Sequence, residues 1–260
     1  MTSVTSSEWD TFWQGLTPDS EIQMWDFYGG RPWILKHTPR WGKVVEAGCG
    51  LGRYVFYLHR LGIDVDGFDF HEPTLRSLQQ WARANAIEVS LTVGDVAQLP
   101  YQDRSLSGYL SFGVVEHFQE GPQAALQEAF RVLRPGGIAI ITVPSLSFSQ
   151  IYRKSRQYIS TVIKRLLGRP VKPRRFFQYW YRRRQLSAFV QRAGLEVVLC
   201  GGADLFYSMF ELGLKPSSNF LSQAMGRLEK SPISAIGAQA LTVSIKKAEM
   251  MYCFLCGKPR

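Results

Sequence analysis

Apolar positions along this chain fall into short buried runs separated by stretches with helical spacing. The first clear run, Val44-Val45, closes on an acid and three glycines at alternate positions: Glu46-Ala47-Gly48-Cys49-Gly50-Leu51-Gly52. Apolar residues in Tyr54–Leu61 then recur at helical intervals. Gly62 closes that helix, and Ile63–Phe70 reads as a second strand. Glu72-Pro73-Thr74 opens a helix reaching Ala86, with proline in its first turn, and Glu88–Val93 is a third strand. The second half of Tyr101–Phe118 predicts a fourth strand and a turn. A helix over Ala124–Leu133 stops at Arg134-Pro135-Gly136-Gly137, before a fully buried strand at Ile138–Val143. A helix over Arg184–Gly194 ends on its glycine, Leu195–Cys200 is a sixth strand and Met250–Cys256 a seventh. Gly201–Lys247 is left as a long connection with helical patches at Leu205–Leu212 and Phe220–Leu228. Strands alternating with crossovers predict a doubly wound, mostly parallel α/β sheet.

Two segments stand outside this alternation. Residues 1–40 are aromatic-rich and irregular, and Gly29-Gly30-Arg31-Pro32 breaks any helix before it. They read as a segment packed on the core, as a lid, or as both. The main domain, 41–260, is interrupted by an insert at 145–184.

Strand, glycine turn and helix together open a nucleotide-binding β-α-β unit, because glycine lets a ligand approach the main chain. A dinucleotide site needs Gly-x-Gly-x-x-Gly and a pyrophosphate on the helix N-terminus. Here the spacing is Gly-x-Gly-x-Gly, and Glu46 would repel a pyrophosphate and attract a cation. Asp69 follows at a strand end, where two carboxylate oxygens match a ribose diol; the alternative is a surface aspartate. The segment resembles motif I of the class I S-adenosylmethionine (SAM)-dependent methyltransferases. The string from Gly94-Asp95 through Leu99-Pro100 to Glu116-His117-Phe118 is similar to the signature of the small-molecule and quinone-type members, as is Arg134-Pro135-Gly136-Gly137 before its apolar strand. Gly108 departs from that pattern, which typically has aspartate there. The resemblance covers Val44–Val143 well and Gln185–Leu199 plausibly.

The resemblance implies a Rossmann-like seven-stranded sheet with an antiparallel last strand, SAM as cofactor, and an N-terminal lid. It implies that Glu46, Gly48, Gly50, Gly52 and Asp69 hold the cofactor, and that Asp95 and Val96 meet the adenine. Asp95 is otherwise a turn aspartate or helix cap. Phe70 lies against the adenine or simply packs. Cys49 reads as small filler, and Arg53 either pairs with a carboxylate or is solvated. Glu116 and His117 are the weak catalytic candidates, since histidine takes a proton near neutral pH, but a structural role competes. The expected reaction is methyl transfer to a small-molecule or lipid-like acceptor, and no residue type reveals the attacked atom. The rivals are a catalytically silent SAM-fold binding protein, an RNA methyltransferase and a nicotinamide-dependent oxidoreductase.

Composition changes the picture at one place. The 260 residues carry a net charge of +10. Between Ile151 and Arg184 stand twelve Lys/Arg and no acid, leaving 19 basic against 21 acidic residues elsewhere. Ile159, Val162, Ile163, Leu166 and Leu167 fall at helical spacing with Lys164 and Arg165 between them, a basic amphipathic helix. Lys172–Arg184 then interleaves arginines with Phe176, Phe177, Tyr179, Trp180 and Tyr181. Three readings follow: an interfacial segment on anionic lipid, a nucleic-acid contact lacking any recognised module, or a cap whose apolar stripe packs on the sheet. Four scattered cysteines make no disulfide framework, and Cys253-x-x-Cys256 lacks a second pair, so no metal is expected. No apolar leader and no membrane-length apolar run is present, which predicts a cytoplasmic protein, peripheral to the membrane if the insert binds lipid. Oligomeric state is not legible.

Overall fold

The structure, a computed structural model, describes residues 5–27, 30–145, 148–171, 176–203 and 239–247. Seven strands form one sheet: β1 (Val44–Ala47), β2 (Val65–Asp69), β3 (Leu91–Val93), β4 (Leu106–Phe112), β5 (Leu133–Pro144), β6 (Glu196–Ala203) and β7 (Gln239–Ile245). Their order is β3-β2-β1-β4-β5-β7-β6, with β7 antiparallel to both neighbours and the other six parallel. Strands covered on both faces should be apolar throughout, and β1 and β2 are buried at every position.

Helices cover each face. On one side α4 (Arg53–Arg60) and α5 (Glu72–Ala84) bury Val55, Phe56, Leu58, Leu75 and Leu78 against the sheet. On the other, α6 (Gln123–Val132) and α8 (Arg183–Arg192) bury Leu126, Ala129, Leu186 and Val190. Each of these Val, Leu and Phe side chains contributes about 1.5–3 kcal/mol when fully buried.

Three expectations change. Residues 1–40 are not irregular: they hold α1 (Ser6–Trp13), α2 (Pro18–Gln23) and α3 (Arg31–His37). The start signals are local. The Thr5 N–H donates to Glu8 Oε2 at 2.9 Å, and Pro18 follows the Thr17 cap. The antiparallel seventh strand is Gln239–Ile245, inside what reads as a connection, whereas Met250–Cys256 and the patches at 205–212 and 220–228 lie outside the described residues. Arg134-Pro135-Gly136-Gly137 belongs to β5, which begins one residue after α6 ends.

The insert forms α7 (Phe148–Leu166), followed by an extended strap over 176–181. The apolar stripe of α7 does not pack on the sheet: Ile159 and Ile163 are exposed, and Leu166 is 80% exposed. The strap is the part that packs. The Tyr181 N–H donates to Pro144 O at 3.0 Å and the Tyr179 N–H to Glu116 O at 2.9 Å, across the carboxyl end of the sheet.

Candidate functional site

The site lies where β1, β2 and β3 end side by side, with Ala47 opposite Phe68 and Asp69 opposite Val93. Gly48, Gly50 and Gly52 have φ of 87°, 50° and 79°. An L side chain there costs about 1–2 kcal/mol each, so the loop requires its three glycines. Phe68 O accepts the N–H groups of Gly48 (2.6 Å) and Cys49 (3.0 Å), which ties the loop to β2.

Asp69 joins loop and strand. Its Oδ2 accepts the Gly50 N–H at 2.8 Å and its Oδ1 the His71 N–H at 2.9 Å. Burial raises its pKa, and the two N–H donors counter part of that rise. A carboxylate has about four acceptor positions, so a diol can still be received. Glu46 differs from the expected open acid. It is 1% exposed, its Oε2 accepts the Val55 N–H of α4 at 2.8 Å, and burial pushes its pKa well up. It satisfies an otherwise unpaired N–H in the first turn of α4 and so braces the glycine loop against that helix. Cys49 is buried with its thiol pushed well above the ordinary value, so it is filler, not a nucleophile. Arg53 is paired, with Nη2 on Glu21 Oε2 of α2 at 2.5 Å.

Asp95 and Val96 follow β3. Asp95 Oδ1 accepts the Ala97 N–H at 3.0 Å, the turn role that was the alternative to meeting the adenine, and Val96 is buried. The loop behind them is fixed by α6: the Leu99 N–H donates to Glu128 Oε1 at 2.6 Å, and Arg131 Nη2 donates to Leu99 O at 3.1 Å.

A second set of residues closes the site from above. The indole of Trp13 lies against Gly50. Trp9 meets Phe70 edge-on at 6.3 Å, His117 at 4.9 Å and Phe177 at 5.9 Å. Asp10 Oδ1 lies 3.2 Å from His71 Nε2. The glycine loop, Asp69, Phe70, Glu116 and His117 thus share one end of the sheet, beneath α1 and the strap. Sequence reasoning named none of Trp9, Asp10, Trp13 or Phe177 as a site residue; the aromatic density of residues 1–40 was the available signal.

His117 and Glu116 sit in a short 3-10 turn, Val115–His117. His117 Nδ1 is 2.7 Å from Phe177 O, which can only accept. A proton on Nδ1 makes that bond, and the Gly113 carbonyl also favours a protonated ring. Burial lowers the His117 pKa to about 4 and raises that of Glu116 to about 8, so both are neutral near pH 7. Glu116 Oε1 is 3.8 Å from His117 Nε2, and Glu116 Oε2 is buried without a hydrogen-bond partner among the described residues.

Residues 45–141 match the family model described as a methyltransferase domain. This chain carries a domain of the SAM-dependent methyltransferase family. A Mycolicibacterium smegmatis protein named "probable S-adenosylmethionine-dependent methyltransferase" is 34% identical over 116 residues, covering 44% of this chain and 43% of that protein. The Xenopus tropicalis tRNA (carboxymethyluridine(34)-5-O)-methyltransferase alkbh8 is 31% identical over 132 residues, 48% of this chain and 19% of its own length. The chain therefore spans less than half of these curated relatives. A SAM-dependent methyltransferase from Methanosarcina mazei shares the fold at a TM-score of 0.61 and 15% identity, over 84% of this chain and 98% of that one. The matched region begins within β1 and ends within β5, so α1 and the strap lie outside the match. Its residues suit the family's cofactor: a loop of three left-handed glycines, a buried carboxylate in Asp69 with acceptor capacity to spare for a diol, and an aromatic ring at Phe70. Among the described residues no cluster of His, Cys, Asp and Glu could hold a metal ion.

Proposed function

We propose that this protein transfers a methyl group from SAM to a small or lipid-like acceptor with an apolar ring or chain and one polar group. The observation that supports this reading is the ring cage of Trp9, Phe70, His117 and Phe177 beside the glycine loop. Its polar contents are uncharged near neutral pH. Glu116 is protonated and His117 neutral, and Trp9 Nε1 is a buried donor with no partner among the described residues. A flat or apolar ligand entering among these rings would meet aromatic faces, with Trp9 Nε1 and Glu116 as partners for one hydroxyl or amine.

SAM supplies an electrophilic methyl group. The chain's own contribution is to hold the reactants together, which is worth several kcal/mol of barrier, and to exclude water with α1 and the strap. The Gly50 loop and Asp69 orient the cofactor, and Asp95 and Val96 flank its base. In this reading His117 would be the group that takes the acceptor's proton. A weak base suffices there, because an oxygen or nitrogen that gains a methyl group becomes far more acidic.

The test has two arms. Calorimetry should show binding of SAM and S-adenosylhomocysteine but not NAD. Methyl transfer should then appear with a phenolic, hydroquinone or amine panel and not with tRNA. NAD binding would return the oxidoreductase reading, SAM binding with no acceptor in any panel the silent one, and tRNA methylation the RNA one.

A further inference from the structure

The 19 residues of α7 form an amphipathic helix worn inside out with respect to the protein body. At about 100° per residue, Ile151, Tyr152, Ile159, Val162, Ile163 and Leu166 share an arc of roughly 120°. All six are exposed, Ile151 at 53%, Ile159 at 56% and Leu166 at 80%. The side turned toward the body is polar: of the helix residues with described side chains, only Lys154 and Thr161 are partly buried, and Lys154 Nζ sits 3.8 Å over the Trp180 ring of the strap. In a helix stabilised by its own protein the apolar stripe faces inward. Here a cation–π contact holds the polar edge and the apolar face points to the outside.

The cations border that face. Arg156 lies along one margin and Lys154 and Arg165 along the other, with Lys164 behind and no acid anywhere in the helix. The arrangement presents isoleucine, valine and leucine flanked by long basic side chains, whose charged heads reach past an inserted apolar stripe to a layer of negative charge. No helix among the described residues is long and apolar enough to cross a membrane. We infer that α7 lies in the plane of an anionic membrane surface, its stripe among the acyl chains and its Lys/Arg margins on lipid phosphates. RNA fits this face less well. Its contacts are phosphate and stacked base, whereas the outward surface is aliphatic, and Phe177, Trp180 and Tyr181 are turned into the strap's own packing. The inference does not rest on methyl transfer, so it is tested without an activity assay.

The full chain should co-sediment with vesicles containing 30% phosphatidylglycerol in phosphatidylcholine at low salt, roughly tenfold or more better than with pure phosphatidylcholine. That margin should shrink as salt is added. Leu166→Glu, on an exposed residue, should abolish binding with the melting temperature and SAM affinity unchanged. Lys164→Glu combined with Arg165→Glu should weaken it at least tenfold. Three outcomes overturn the inference: no binding to anionic vesicles at low salt, vesicle binding that Leu166→Glu leaves intact, or a sharp fall in melting temperature for Leu166→Glu. Binding to tRNA that Leu166→Glu weakens, with no vesicle binding, would assign the face to RNA and also overturn it.

Discussion

Trp13 lies so close to Gly50 that a Cβ built on the glycine would stand 2.6 Å from the indole Cζ2. The contact places α1 directly on the loop expected to hold the cofactor, and the Arg53–Glu21 pair anchors the segment that carries it. A cofactor held by that loop would therefore be coupled to the position of α1 at this one contact.

Gly50→Ala tests the coupling. At φ 50° the new methyl is strained by about 1–2 kcal/mol, and it also pushes on Trp13. SAM affinity should fall at least tenfold and the melting temperature by several degrees. Trp13→Ala in the same chain should recover part of the loss if the lid contributes. Strictly additive effects in calorimetry would show that strain in the loop is the whole cause.

Asp69→Ala removes the acceptor for two N–H groups as well as the proposed diol contact. SAM and S-adenosylhomocysteine should both bind about 1.5–3 kcal/mol more weakly, since each keeps the ribose. Equal, unchanged affinities for the two ligands would remove Asp69 from the ribose role.

The core of this fold was legible because each signal was local. The glycine spacing needs three left-handed residues, and the loop has three. β1 and the Ile138–Val143 part of β5 are mostly apolar because both sheet faces are covered there. What was not legible depended on distant partners. Gln239–Ile245 alternates Leu241, Val243 and Ile245 with small polar residues, a weak pattern that becomes a strand only because β5 and β6 flank it on either side. Glu46 reads as an open acid until Val55 is seen above it, nine residues along the chain. The α7 stripe reads equally as core or surface, and the contact between Lys154 and Trp180 marks the polar edge as the inward one.

Phe177→Ala keeps the carbonyl that holds His117 and deletes one wall of the cage. An acceptor found by the panel should show KM raised about tenfold, the scale of a lost ring contact, with SAM affinity unaltered. Unchanged acceptor saturation would place the acceptor elsewhere.

The pair Glu116 and His117 gives the protein a pH signature with a definite sign. The folded state holds the Glu116 proton up to about pH 8, whereas an unfolded chain releases it near pH 4.5. Stability from this residue is thus lost as pH rises through that window. His117 works the other way: folding keeps it neutral down to about pH 4, so its cost appears only below pH 6.5, where the unfolded chain gains a proton. Between pH 6.5 and 8 Glu116 acts without that opposition, and at about 1.4 kcal/mol per unit the loss reaches roughly 2 kcal/mol. Glu46 and Asp69 are shifted in the same direction, so the comparison must be with Glu116→Gln rather than with pH alone. Relative to the unsubstituted protein, that variant should gain several degrees in melting temperature on going from pH 6.5 to 8 and gain nothing further above about pH 9. Parallel melting curves for the two proteins across this range would show that Glu116 is ionised in the folded state and that the cage is charged.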